Sequence, residues 1–114
     1  MWIFTQTGFI SAVRHNARPG YLMVRARDAR SLAGLCSSAG TDITRTPIAD
    51  YPYRTVVSDE DLKVWLDGQL DDLDYVNFKS RCAATLGKRF AHALGEVWSV
   101  MHDVEDSDSR RNSG

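Results

Sequence analysis

Alternation of apolar and polar positions is cleanest over Tyr21–Arg27. Leu22, Val24 and Ala26 fall on one side of an extended segment, and Tyr21, Met23, Arg25 and Arg27 on the other. This predicts a strand that buries the first set and presents both arginines on the opposite face. Trp2–Thr5 and Phe9–His15 are also β-prone, and Gln6-Thr7-Gly8 between them is short enough, with glycine well placed, for a hairpin. Pro19-Gly20 signals the turn into the third strand. Ile43–Thr46 predicts a brief strand before Pro47, and Tyr53–Val57 a further strand after Asp50-Tyr51-Pro52.

The spacing then changes to helical. Leu32, Leu35, Cys36 and Ala39 recur at helical intervals after Asp28, a potential N-cap, and before Gly40, so residues 29–39 are expected to form a helix. Ser58 followed by Asp61 resembles a capping box, with Leu62, Trp65, Leu66, Leu70 and Leu73 as the apolar stripe behind it. Asp74-Tyr75-Val76-Asn77 breaks that helix and starts the next. In the latter, Phe78, Cys82, Leu86, Phe90, Leu94, Val97, Trp98 and Met101 share an apolar side, with Gly87 as a point of division. The order β-β-β-α-β-β-α-α predicts an α+β fold: a small antiparallel sheet of about five strands with helices packed on one face. One domain is expected over residues 1–104, followed by a disordered tail over residues 105–114, which is small, charged and almost without apolar groups.

Composition narrows the function classes. A chain of 114 residues with 43% hydrophobic and 25% charged residues is globular in character. No apolar run approaches the ~20 residues of a membrane span, and no signal or transit pattern precedes the first strand, so the cytoplasm is the expected compartment. Cys36 and Cys82 both fall on apolar helix sides and are expected to be buried thiols. Two cysteines with His15, His92 and His102 give none of the usual zinc spacings, and no metal or other cofactor is expected. The net charge of −1 argues against a general polyanion binder, yet residues 1–57 hold seven arginines against three aspartates, while residues 58–114 hold seven basic against twelve acidic groups. Such asymmetry marks either an anion-binding face or two surfaces that attract each other.

The candidate chemistry lies in three places. Arg25 and Arg27, two apart on one strand, project guanidinium groups from the same face about 7 Å apart, a spacing suited to phosphate; the competing account is a solvated face of surface ion pairs. Tyr51, Tyr53 and Arg54 combine rings able to stack on a base with a cation able to hold a phosphate, against the simpler account that they pin a turn. Tyr75, Asn77 and Lys79 stand at a helix start, where anions are favoured; capping alone explains Asn77, whereas Lys79 in a first turn runs against the usual charge preference. His92, Glu96 and Ser99 share a helix face but lack the pocket and oxyanion donors that catalysis requires. No phosphate loop or nucleophile elbow occurs, so the chain reads as a binding protein more readily than as an enzyme.

Taken together, Met1–Thr5, Gly8–Val13, Val24–Arg27, Asp50–Arg54, Asp74–Lys79 and Val97–Met101 resemble a family of small proteins found in bacteria and their phages. The resemblance spans roughly residues 1–101 and implies no particular enzymatic activity. By analogy with compact phage proteins that sequester cyclic nucleotide signals of host immunity, it suggests a sponge for such a ligand. The expectation is therefore sequestration of a small phosphate-bearing ligand, a nucleotide or cyclic nucleotide, bound by Arg25, Arg27, Tyr51, Tyr53, Arg54, Tyr75, Asn77 and Lys79. A homo-oligomer is expected to supply walls that so small a sheet lacks. The alternatives are a protein-interaction module docking through Trp2, Phe4, Phe9 or the acidic helices, and a single-stranded nucleic-acid binder using a basic aromatic sheet face.

Overall fold

The computed structural model describes residues 1–48 and 50–105. Of the expected disordered tail, residues 106–114 lie outside the described residues. Among these residues five strands, β1 (Trp2–Thr5), β2 (Gly8–Arg14), β3 (Tyr21–Ala26), β4 (Thr44–Arg45) and β5 (Tyr53–Ser58), and four helices, α1 (Arg30–Ala39), α2 (Asp59–Asp71), α3 (Phe78–Leu86) and α4 (Lys88–His102), follow in the order β-β-β-α-β-β-α-α-α. The strands form one open antiparallel sheet in the order β1-β2-β3-β5-β4. The fold is α+β, as the pattern predicts. Among the described residues no helix is long and apolar enough to cross a membrane.

Packing divides the chain into two compact units, Met1–Val76 and Asn77–Gly114. In the first, α1 and α2 lie against one face of the sheet. Register decides which side chains they cover. Ile3 pairs with Ile10, Ala12 with Val24, Val24 with Thr55 and Leu22 with Val57, so these residues line a single face. Against it pack Leu32, Leu35 and Cys36 of α1 and Leu62 and Trp65 of α2, closing a core in which Val24, Ala26, Leu32 and Leu35 are wholly buried. The alternation read over Tyr21–Arg27 is therefore the core/open division of the sheet.

Local chemistry fixes the helix ends. Asp28 Oδ1 accepts from Ser31 N at 2.9 Å, and Gly40, at φ 69°, closes α1 by donating its N–H to Cys36 O. Ser58 Oγ accepts from Asp61 N at 3.1 Å, and Asp59, Glu60 and Asp61 set negative charge at the positive end of α2. Ser58→Ala is expected to cost about 1 kcal/mol, the usual value of an N-cap; urea titration checks it, and a change below a few tenths would show the cap to be redundant. The stripe read along α2 is only partly used: Leu62 and Trp65 are buried, whereas Leu70 and Leu73 are exposed.

The second unit is a helical hairpin. Gly87, at φ 95°, ends α3 and begins α4, so the continuous apolar pattern from Phe78 is carried by two helices. Among its described residues Cys82 and Ala91 are buried. At about 1.5 Å per residue, the nine residues of α3 are too short to match the fifteen of α4. Accordingly Val97, Trp98 and Met101, which continue the apolar side, are exposed, Trp98 to 70%.

Candidate functional site

The sheet face turned away from α1 and α2 carries Trp2 and Phe4 from β1, Phe9, Ser11 and Val13 from β2, Met23 and Arg25 from β3, Arg54 and Val56 from β5 and Thr44 from β4. This follows from the pairs Trp2–Ser11, Phe4–Phe9, Ser11–Arg25, Met23–Val56, Arg25–Arg54 and Thr44–Arg54. Aromatic rings gather at one side, where Phe4 and Phe9 stack with centroids 4.5 Å apart and Trp2 meets Phe9 edge-on at 5.7 Å. The arginines occupy the centre.

Tyr51, in the segment leading into β5, organises that centre. Its ring is 5% exposed and lies 6.5 Å from the ring of Phe9. The guanidinium carbons of Arg25 and Arg27 sit 4.6 and 4.3 Å from its centroid, within the range of a cation–π interaction. Its backbone carbonyl accepts from Arg54 Nε at 3.4 Å. Three arginines from β3, the residue after it and β5 thus converge on one tyrosine.

Their remaining partners differ in charge. Arg27 donates to the backbone carbonyl of Asp50 and to its carboxylate at 3.1 Å. Arg25 donates through Nη2 to Ser11 Oγ at 3.0 Å, and its Nε is buried without an acceptor among the described residues. Among those residues neither Arg25 nor Arg54 forms an ion pair. Because Arg25 and Arg54 are direct cross-strand partners, two like charges face each other, an arrangement that costs free energy until an anion lies between them.

A cleft of about 320 Å³ adjoins Arg54, lined by Met23, Thr41, Asp42, Thr44, Arg54, Thr55 and Val56. A second, of about 310 Å³, runs between Ile3, Phe4 and Thr5 and the α2 residues Leu66 and Leu70, with Tyr75 at its edge. Within the second unit, Lys79, His92, Gly95, Glu96 and Ser99 border a shallow depression in which His92 Nε2 and Glu96 Oε1 are 3.1 Å apart, both side chains largely exposed. Burial pushes the Cys82 thiol above its ordinary pKa, which keeps it protonated and a poor nucleophile. Among the described residues no cluster of three or more His, Cys, Asp or Glu side chains is arranged to hold a metal.

Of the residues singled out in the sequence, Arg25, Arg27, Tyr51 and Arg54 come together. Tyr53 does not join them: it pairs with Ala26 and packs against the core cluster, and the guanidinium of Arg45 lies 5.7 Å from its ring. Tyr75 belongs to the α2 cleft. Asn77 and Lys79 stand in the second unit, where Asn77 Oδ1 caps α3 by accepting from Ser80 N at 2.9 Å. Ser11, Asp50 and Asp42 are not legible as site residues in the sequence, because their importance depends on strand register and on the path of the segment around β4. Comparison with protein-family models, curated proteins and solved structures finds no match.

Proposed function

We propose that the protein binds and holds a small phosphate-bearing ligand of the nucleotide or cyclic-nucleotide class on the open face of its sheet, without chemical turnover. The opposed pair Arg25 and Arg54, with no carboxylate on either among the described residues, carries this reading. Charge-assisted, bidentate contacts from guanidinium groups are the strong way to hold phosphate. Tyr51 holds the cations in place beforehand, so binding loses less side-chain entropy. Sequestration of a nucleotide signal is the role we attach to this binding, on analogy with the phage proteins that the motifs resemble. Since the face is open, we assign a further wall to a second copy of the chain.

The test is a thermal-shift screen against nucleotides, cyclic mononucleotides and cyclic dinucleotides, repeated with Arg25→Ala and Arg54→Ala. A ligand at a hundred times its Kd is expected to stabilise the wild type by about 2.7 kcal/mol. Each variant is expected to lose about tenfold or more in affinity, read against its own ligand-free unfolding, because truncation relieves the like-charge contact but also removes that arginine's contact with Tyr51. The ligand should be recovered intact. No response to any phosphate-bearing probe would sink the proposal, and consumption of the ligand would replace binding with catalysis.

One observation favours a second reading. Trp2 is 69% exposed and shares the open face with Phe4, Phe9 and the arginines, the combination of stacking rings and cations that serves single-stranded nucleic acids. That reading requires affinity that rises with oligonucleotide length and falls steeply with salt. A mononucleotide site shows neither.

A further inference from the structure

We propose that the cleft beside Arg54 is a sugar subsite, in which Asp42 accepts hydrogen bonds from the hydroxyls of a ribose whose phosphate is held by Arg25 and Arg54. This inference rests on the phosphate-binding reading above and specifies the ligand as a ribonucleotide. Three observations lead to it.

The cleft is continuous with the arginines through Arg54, which lines it and also faces Arg25 across the β3–β5 pair. Thr44 is in turn the cross-strand partner of Arg54. Arg25, Arg54 and Thr44 therefore stand in a row across three strands, about 10 Å from end to end at the usual strand spacing. That is the scale of a sugar phosphate.

The cleft is polarised. Among its described lining residues Arg54 is the one cation and Asp42 the one carboxylate, with the hydroxyl of Thr44 on the same face as Arg54 and a floor of Met23 and Val56; Thr41 and Thr55 complete the lining, Thr55 with its side chain toward the helix-covered face. A carboxylate beside a phosphate site repels the anion unless something between them donates to it, since an ionised carboxylate only accepts hydrogen bonds. A ribose fits this division: its phosphate goes to the arginines, its hydroxyls donate to Asp42, and its C–H surface lies on Met23 and Val56. A bare phosphate would leave Asp42 as an unopposed repulsion.

Asp42 and Thr44 are both exposed, so changing Asp42 is not expected to disturb the core. Thr55 Oγ1, by contrast, is engaged with Thr41 Oγ1 at 2.8 Å, which ties the segment before β4 to β5 and sets the position of the cleft wall.

Calorimetric titration of the full chain with AMP, 2′-deoxy-AMP and inorganic phosphate tests the assignment in the wild type and in Asp42→Asn. The wild type is expected to bind AMP about tenfold more tightly than 2′-deoxy-AMP, the value of one hydrogen bond to a charged group. Asp42→Asn is expected to erase that preference without weakening 2′-deoxy-AMP, whose binding should hold or tighten because the negative charge beside its phosphate is gone. Equal affinity for the two nucleotides in the wild type would overturn the sugar subsite while leaving the phosphate site standing. An equal loss of both nucleotides in Asp42→Asn would also overturn it, in favour of a contact to the base. No binding of any of the three probes would overturn the phosphate reading and the sugar subsite together.

Discussion

Replacing Gly8 by alanine is expected to destabilise the protein by about 2–5 kcal/mol, the combined cost of backbone strain and overpacking at one position. A Cβ at Gly8 would overlap Ser31 Oγ outright and fall 2.8 Å from Ser31 Cβ and 2.9 Å from Ser31 Cα. The last of these atoms belongs to the backbone, so no rotamer change relieves the crowding. Gly8 also has φ 139°, a conformation that residues with a side chain rarely adopt. Ser31 has little freedom to yield: it is 5% exposed, its Oγ accepts from Phe9 N at 3.2 Å, and its N–H is held by Asp28. Alanine would therefore push the first turn of α1 off β2. Denaturant titration measures the loss, and a change below about 1 kcal/mol would show that the helix start moves aside freely. Adding Ser31→Gly is expected to recover only part of the stability, since it removes the overlap with the serine side chain and leaves the backbone of α1 where it was.

Gly8 also shows what the sequence discloses and what it withholds. Beside Thr7 it reads as a hairpin glycine, and the hairpin is there, with Thr5 paired to Gly8. Its second constraint, the close approach of α1, is set by a helix more than twenty residues away and leaves no local signal. The same distinction runs through the fold. Period-two alternation over Tyr21–Arg27 reveals which side chains are buried, because burial on a strand depends only on parity. The cap at Ser58 and the stop at Gly40 are equally local.

Parity also places Arg25 and Arg27 on the open face, but it does not say what stands opposite them. The convergence with Arg54 requires the β3–β5 register, which no residue in either strand specifies alone. Composition groups Tyr53 with Arg54, yet one position along a strand reverses the face, and Tyr53 packs with the core, whereas Tyr51 precedes β5 and is not bound by its parity. The division at Val76 is weakly marked for a related reason. Leu70 and Leu73 continue the apolar spacing of α2 although both are exposed, and the break over Asp74–Asn77 reads the same whether one unit continues or a second begins.

Tyr51 is the residue on which stability and binding are expected to depend together. Truncation to alanine removes a ring that is almost wholly covered, and about 3 kcal/mol of stability should go with it. The more informative comparison is between Tyr51→Phe and Tyr51→Leu. Phenylalanine keeps the aromatic face toward which Arg25 and Arg27 are drawn, and the backbone carbonyl that accepts from Arg54 is present in every variant. It should therefore behave nearly as the wild type in both unfolding and nucleotide affinity. Leucine fills much of the volume but has no quadrupole. Each cation–π contact is worth about 0.5–2 kcal/mol, more where water is excluded, and without them Arg25 and Arg54 face each other with less to offset their repulsion. The guanidinium groups should then turn outward into solvent, and ligand affinity should fall about tenfold even where the fold survives. Parallel denaturation and titration of the two variants separate the effects. If leucine matched phenylalanine in affinity, the ring would be packing alone, and the arrangement of the arginines would have to come from Ser11 and Asp50.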